Sequence, residues 1–391
     1  MNVLMCPFAS HGFLYPMIGI AEELRRRGHE VRFVTGPAFT AVIAEAGFVR
    51  IPRGEPDGDS FGLVQWGHPL VVGMQIKHVE YAIQRFSPDV LFTSMQALGP
   101  LVVAERERIP VAILGLACYL WPTERGREDE RTAATRRWRY DETMQHYERV
   151  REMAGLAPRP STIDETPLLG DLYMEQSVAQ LEPLTRSLPA RVHLVGSCLW
   201  EPPAIDADLA RWLARIPAGE PLAYLQHGPS FGRPGFWSNL VAALDGERVC
   251  VAAALGRFRE TAAPSDRFFV RSHLPQGQVL TRASAVISGG NTTSVLGALT
   301  NGLPSLLVPE GGEQPDLATR CESAGVSVVV QRTANSPEAL RSAVGRVLTD
   351  RALRERARRV RHAFVNVDGR GMAADLLTGL AVAEPQRAGT A

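Results

Sequence analysis

The sequence predicts an α/β protein with two doubly wound, Rossmann-like domains, and three observations support this prediction. An apolar strand, a turn, an amphipathic helix and a second strand follow one another over residues 2–34, which is the order of a βαβ unit. A second series of strands and helices begins at Leu222. Residues 197–206, between the two series, contain two adjacent prolines and have the composition of a linker.

The first domain alternates strands and helices in chain order. Apolar residues recur with helical spacing after Pro16, and proline is favoured in a first helical turn. Buried strands are predicted at 88–94 and 110–116, and a last strand at 191–196. Residues 120–152 interrupt the alternation with a charged run and several aromatics, a composition that fits a solvated pair of surface helices.

The second domain repeats the alternation from its first strand to a largely helical C-terminal region. A chain of 391 residues is long enough for two domains of ordinary size, each with its own core. We therefore expect an N-terminal domain at 1–198, a C-terminal domain at 199–380, and a frayed, disordered tail at 381–391.

Composition and charge exclude several classes of function. The chain has 42 basic and 42 acidic residues, so there is no electrostatic basis for binding nucleic acid or an anionic membrane. It has no apolar run of membrane-spanning length, and its N-terminus lacks a signal-peptide pattern. Its five cysteines are scattered without Cys-x-x-Cys spacing, which favours reduced thiols over a zinc site. These features predict a cytoplasmic protein without a bound metal or stable membrane insertion.

One stretch of the second domain has the chemistry of an anion site. A strand ending at Ile287 leads into a turn rich in glycine and hydroxyl groups, residues 288–294, and then into a helix. Such a turn presents free backbone N–H groups and the positive end of a helix dipole, which suits a diphosphate. A second strand is followed by Glu313 and Gln314, whose side chains are able to bond sugar hydroxyls. The alternatives are a tight connection without a ligand and a polar cap on a loop.

The order of these motifs resembles a known family. The segment His273-Leu-Pro-Gln, the glycine turn, a Gly-x-Pro ending at Pro304 and the Glu-Gln pair follow one another in this order, within a match of about 100 residues in the C-terminal half. The opening His11-Gly…Pro and Arg27-Gly-His again fit the same pattern. Together they resemble the family 1 glycosyltransferases, nucleotide-sugar enzymes of the GT-B fold, in which two Rossmann-like domains face a cleft.

The resemblance implies an inverting transfer of a hexose from a UDP or dTDP sugar to a small-molecule acceptor of natural-product or antibiotic biosynthesis. Neither a metal nor a separate cofactor is expected, because the helix dipole and hydroxyl donors take the place of a metal in this fold. The donor would contact the following residues of the second domain: His273, Leu274, Gln276, Ser288, Gly289, Gly290, Asn291, Thr292, Thr293, Glu313 and Gln314. The acceptor would contact residues of the first domain, part of it a variable wall at 120–152: Phe13, Trp66, His68, Ser94, Tyr119 and Trp121.

Several positions depart from the family pattern. Phe13 stands where the catalytic base, a histidine, is usual, and Ser94 stands where its carboxylate partner is usual. We expect His11 or His227 to act as the base instead, with His68 as a further candidate, although each also has an ordinary structural role open to it. An acceptor that is already nucleophilic would need little help from a base.

The donor side departs as well. Ser288 or Gly289 occupies the place of a histidine that bonds the diphosphate, and His273 occupies that of a tryptophan that stacks under the base. The double loss on the acceptor side supports a rival hypothesis, a catalytically degenerate homologue that assists an active glycosyltransferase. An epimerase or hydrolase of the same fold is a third reading, for which the sequence offers no convincing pair of carboxylates. The sugar, the acceptor, the choice of UDP or dTDP, and the oligomeric state stay open, with a homodimer allowed.

Overall fold

The computed structural model describes residues 1–121, 130–158, 162, 165–182, 187–203, 205–226, 235–256 and 263–382. These residues form two compact units. Unit 1 contains the described residues of 1–179, 187–200 and 367–382, and unit 2 contains residues 180–182 and the described residues of 201–366. The division after residue 200 lies two residues beyond the predicted one.

Unit 1 is built on a seven-stranded parallel sheet in the order β3-β2-β1-β4-β5-β6-β7. Its strands are β1 (Asn2–Cys6), β2 (Glu30–Phe33), β3 (Val49–Arg50), β4 (Val90–Ser94), β5 (Val111–Leu114), β6 (Leu172–Glu175) and β7 (Val192–Leu194). Its first five helices are α1 (His11–Arg26), α2 (Thr40–Glu45), α3 (Pro69–Phe86), α4 (Leu98–Glu107) and α5 (Glu130–Met153). Every residue of β4 is buried, as expected for a central strand covered on both faces. The strand order reverses between β1 and β4, where ligands of doubly wound sheets bind beyond the strand ends.

Unit 2 has a six-stranded parallel sheet in the order β10-β9-β8-β11-β12-β13. Its strands are β8 (Leu222–Gln226), β9 (Cys250–Ala254), β10 (Phe268–Arg271), β11 (Ala285–Ser288), β12 (Ser305–Leu307) and β13 (Ser327–Val329). Its helices are α6 (Ala207–Arg215), α7 (Phe236–Leu244), α8 (Gln276–Leu280), α9 (Thr292–Asn301), α10 (Gln314–Ser323), α11 (Pro337–Thr349) and α12 (Arg351–Val365). The reversal of strand order falls between β8 and β11. The ends of these two strands therefore mark the expected ligand edge.

The last helix, α13 (Gly369–Val382), belongs to unit 1 and not to the C-terminal domain in which the sequence analysis placed it. Ala373 and Leu377 are fully buried in the core that also contains residues of α1, and Asp375 pairs with Arg27. This pairing joins positions 348 residues apart along the chain, so no local pattern predicts it. The helix continues through residue 382, past the predicted start of the tail, and residues 383–391 lie outside the described part of the chain.

All five cysteines are buried and have free thiols. Burial raises the pKa of the Cys198 thiol to about 12, which keeps it protonated and unreactive. This state agrees with the prediction of reduced thiols. Within the described residues, no helix is both long enough and apolar enough to cross a membrane.

Candidate donor and acceptor sites

The glycine turn of unit 2 connects β11 to α9 at the C-terminal edge of the sheet. Gly290 has φ +89°, a backbone conformation that residues with a Cβ rarely adopt. A Cβ at Gly289 would lie 3.0 Å from Nε2 of Gln314, tighter than an ordinary contact. The two glycines thus let the backbone turn sharply and approach the neighbouring loop, as the sequence predicts for this turn.

Two of the predicted phosphate ligands bond the turn itself. The Asn291 side chain caps α9, because its Oδ1 accepts the N–H of Ser294 at 2.9 Å. The Ser288 hydroxyl accepts the N–H of Gly290 at 3.1 Å and the hydroxyl proton of Ser294 at 2.9 Å. The side-chain oxygens of both residues therefore accept bonds that shape the loop. These bonds would help a ligand to bind by fixing the positions of the first backbone N–H groups of α9.

A carboxylate lies at the N-terminus of α9. The N–H of Thr292, the first residue of this helix, donates to Oε1 of Glu313 at 3.4 Å. The position is favourable for an anion, since the helix dipole is positive there. The same N–H belongs to the group that the sequence predicts for the diphosphate, so Glu313 and a phosphate oxygen would compete for it.

Gln314 holds two loops together. Its Oε1 accepts the N–H groups of Glu310 at 2.9 Å and Gly311 at 3.4 Å, and its side chain packs against Gly289. Only 3% of the residue is exposed. Gln314 therefore ties the loop before α10 to the glycine turn, an arrangement that leaves its Oε1 committed within the protein.

The predicted base-binding segment immediately precedes α8. His273 is exposed and Leu274 is 1% exposed. Gln276 begins α8, and its Nε2 donates to the carbonyl of Thr293 at 3.3 Å. This bond joins the segment to α9, so the candidate base and diphosphate contacts are mechanically connected within unit 2. His227, the second candidate base, lies outside the described residues.

His11 begins α1, at the C-terminal edge of the first sheet. It is exposed, and its ring makes edge contacts with Tyr15 at 5.0 Å and Phe39 at 5.1 Å between centroids. Phe13, two residues further along α1, packs against Phe8, with their ring centroids 5.4 Å apart. The aromatic neighbours orient the imidazole of His11 while part of it stays accessible to solvent.

Ser94 has a structural contact. It is 1% exposed at the end of β4, and its Oγ accepts the N–H of Phe8 at 3.3 Å. The bond joins the ends of β4 and β1 and thereby fixes the turn that leads to α1. A hydroxyl in this position has no negative charge with which to stabilise an imidazolium.

The other predicted acceptor residues lie in different environments. Trp66 is half-buried and packs against His146 of α5 at 5.4 Å between ring centroids. His68 caps α3, its Nδ1 accepting the N–H of Leu70 at 3.3 Å. Tyr119 and Trp121 are fully buried, so either would reach a ligand only in an enclosed pocket or after movement. Residues 122–129 of the predicted wall lie outside the described part of the chain.

An anchored loop in unit 1 was missed by the sequence analysis. The guanidinium of Arg50, whose side chain is 4% exposed, pairs with Asp57 at 2.7 Å. Oδ1 of Asp57 also accepts the N–H groups of Arg53 and Gly58, both at 2.9 Å. The bond from Arg50, followed by these backbone bonds, lowers the pKa of Asp57 to about 2. The loop that precedes Trp66 and His68 is therefore fixed electrostatically.

A buried serine–histidine pair fixes the next part of this loop. Ser60 and His78 are both fully buried; the Ser60 hydroxyl bonds Nδ1 of His78 at 2.6 Å, and Nε2 lies 2.9 Å from the Ile51 carbonyl. A carbonyl only accepts, so Nε2 carries the proton and Nδ1 accepts from Ser60. Burial lowers the pKa of His78, which keeps the ring neutral. No motif signals this pair, because histidine on an apolar helix face is an unspecific observation.

Comparisons with known proteins agree with this architecture. The family described as "Erythromycin biosynthesis protein CIII-like, C-terminal domain" matches residues 238–367. A curated protein, "4'-demethylrebeccamycin synthase" of Lentzea aerocolonigenes, is 25% identical over 97% of this chain and 99% of its own length.

Two solved structures resemble the whole chain. The glycosyltransferase of kitacinnamycin has a TM-score of 0.75 at 21% identity, covering 97% of this chain and 99% of its own. The glycosyltransferase VinC in complex with dTDP has a TM-score of 0.70 at 18% identity, with the same coverage of 97% and 99%. Both likenesses concern the fold. With the sequence relatives, they show that the chain has the GT-B fold and is similar to glycosyltransferases of natural-product type.

Proposed function

We propose that this protein transfers a hexose from a nucleoside-diphosphate sugar to a small-molecule natural product, with inversion at the sugar carbon. The observation that supports this most is the N-terminus of α9. A glycine turn, shaped by Ser288 and Asn291, leads into this helix, and the N–H of Thr292 already donates to a carboxylate oxygen of Glu313 at the positive end of the helix dipole. A diphosphate leaving group requires this kind of stabilisation as its negative charge develops.

The donor nucleotide is dTDP or UDP in this proposal, and the binding of dTDP by VinC favours dTDP. The base would lie beside Leu274 and the exposed ring of His273, the diphosphate at Thr292 and Thr293, and the sugar near Glu313. Gln314 would contribute mainly by holding the loop, given the bonds that its Oε1 already accepts.

On the acceptor side, His11 is our proposed base. Its ring is exposed and oriented by Tyr15 and Phe39 at the ligand edge of the first sheet. Phe13 has no proton-accepting group, and Ser94 is buried in a backbone bond. His227 remains an alternative base, and a carboxylate, thiolate or amine acceptor would need none. The following side chains would border the acceptor, the last two after movement: Phe13, Trp66, His68, Tyr119 and Trp121.

The test is turnover of the purified protein with dTDP- and UDP-hexoses and a panel of phenolic, carboxylic and amine acceptors. We expect a glycosylated product, and NMR of its anomeric centre to give the configuration opposite to that of the donor. Retention would contradict inversion. Nucleotide binding without transfer to any acceptor, together with copurification of an active glycosyltransferase, would support the degenerate-homologue hypothesis, which the buried Ser94 motivates.

A further inference from the structure

The linker at the start of unit 2 is bonded directly to α8. Oε2 of Glu201 accepts the N–H of Gln276 at 2.8 Å, and Oε1 accepts the N–H of Gly277 at 2.6 Å. Five residues further, Asp206 and Gln278 exchange two bonds: the N–H of Asp206 donates to Oε1 of Gln278 at 3.0 Å, and Nε2 of Gln278 donates to the Asp206 carbonyl at 2.9 Å. Four hydrogen bonds thus fasten Glu201 and Asp206, which we together call the strap, to α8, a helix of five residues.

The contact with Glu201 replaces the cap that α8 lacks. Its N-cap residue is Pro275, which makes no side-chain cap bond, so the first N–H groups of the helix need partners from elsewhere. A carboxylate that accepts two N–H groups is among the stronger hydrogen-bonding arrangements. A Cβ at Gly277 would overlap with Oε1 of Glu201, so glycine at this position lets the carboxylate approach the backbone this closely.

The strap holds the end of the segment that would bind the nucleotide base in the proposed function, residues 273–276. Residues 273–275 run directly into the capped end of α8, so the backbone beside Leu274 depends on where that end is held. From the same end, the Gln276 side chain bonds the Thr293 carbonyl at the start of α9. A change at Glu201 therefore reaches the base-binding segment first. It reaches the diphosphate turn less directly, through the contacts of α8 with α9 such as that of Gln276, while that turn keeps its own bonds through Ser288 and Asn291.

We propose that Glu201 is a positioning residue for the donor base: it fixes the backbone of residues 273–276 in the conformation that binds the nucleotide. This inference rests on the proposed function, because it assumes a nucleotide donor in unit 2. Glu201 itself contacts no part of the nucleotide.

The test compares two ligands by isothermal titration calorimetry: dTDP, which has a base, and inorganic pyrophosphate, which has none. In Glu201→Ala, we expect dTDP to bind about tenfold more weakly, equivalent to about 1.4 kcal/mol, with pyrophosphate affinity unchanged within about twofold. Glu201→Gln keeps the shape and one acceptor, so its loss should be smaller. Gln278→Ala removes the two hydrogen bonds between Asp206 and α8, and it gives an independent variant if Glu201→Ala does not fold.

Glu247→Gln is the matched control, because Glu247 is an exposed carboxylate preceding β9, at the opposite edge of the same sheet, where it pairs with Arg341 at 3.4 Å. It should bind both ligands like the unaltered protein. Equal weakening of dTDP and pyrophosphate in Glu201→Ala would overturn the inference, since it would show general damage to unit 2. Unchanged dTDP binding would overturn it while leaving the proposed function standing. If the unaltered protein binds neither dTDP nor UDP, the proposed function fails and this inference fails with it.

Discussion

Replacing Glu313 by glutamine tests whether this carboxylate occupies the diphosphate position in the absence of donor. The structure shows a bond that a diphosphate would displace, from the Thr292 N–H to Oε1 at 3.4 Å. Glu313→Gln keeps the size of the side chain and removes its negative charge. If a diphosphate must displace the carboxylate, dTDP should bind more tightly to the variant than to the unaltered protein.

The expected magnitude follows from the interactions that Glu313 loses on displacement. An anionic side chain at a helix N-terminus contributes about 0.3–1 kcal/mol, and the long hydrogen bond adds about 0.5 kcal/mol at most. The sum of these contributions, about 0.3–1.5 kcal/mol, corresponds to about two- to tenfold tighter binding of dTDP. For a dTDP-hexose the gain should be smaller, because the variant also loses a charged acceptor for the sugar hydroxyls.

Calorimetric titration with dTDP and with dTDP-glucose measures both effects at one ionic strength. Glu322→Gln is the control: Glu313 is the N-cap residue of α10, whereas Glu322 lies near the C-terminal end of that helix, and both affinities should stay unchanged. Weaker dTDP binding by Glu313→Gln would refute the competition. Equal gains for dTDP and dTDP-glucose would refute the assignment of Glu313 to the sugar.

Three further predictions concern unit 1. His11→Asn should lower kcat by about 10²–10⁴-fold with little change in the KM of the donor, whereas His68→Asn, at the border of the proposed acceptor site, should change mainly the KM of the acceptor; equal losses of kcat in both would contradict the base assignment. Asp57→Asn should lower the Tm by a few degrees at neutral pH. The pKa of Asp57 is about 2 in the folded protein and near 3.8 in the unfolded chain, so its contribution to stability is present above about pH 4 and is lost as the pH falls towards 2. The Tm values of the unaltered protein and the variant should therefore converge at low pH, and a constant difference in Tm would contradict this. His78 has a folded pKa below its usual value, so its neutral ring favours folding above about pH 6.5, and stability should fall as the pH drops below that value. His78→Asn should remove part of this decline, measured by thermal unfolding between pH 7.5 and 5.5, and a parallel decline in both proteins would exclude His78 as its source.

Local patterns were sufficient to predict the fold class. Apolar strands, helical spacing and glycine punctuation are properties of neighbouring residues, so the βαβ units and the turn before α9 followed from the sequence. The packing of α13 in unit 1 could not be predicted from such local patterns. Its contact with Arg27 depends on a pairing between the two ends of the chain.

The candidate site was likewise predictable from the sequence only in part. Residue type indicated that the stretch from Ser288 to Thr293 has donors and acceptors, but not which of them face a ligand. Ser288 and Asn291 bond their own turn, and the Gln314 amide oxygen bonds its own loop, because buried polar atoms are satisfied first by the nearest backbone groups. In the sequence, Glu201 is only an acidic residue before two prolines. Its proposed positioning role could not be predicted, because it depends on contacts with residues 75 and 76 positions away along the chain.

The central claim is that unit 2 holds a working nucleotide site at the start of α9. Thermal unfolding of the purified protein with and without millimolar dTDP or UDP tests it most directly, beside a variant carrying Thr292→Ala and Thr293→Ala. A nucleotide present at about 100 times its Kd should stabilise the native state by about 2.7 kcal/mol, a rise of a few degrees in Tm. We predict this rise for the unaltered protein and its loss in the double variant. No rise with either nucleotide, or the same rise in both proteins, would contradict the account.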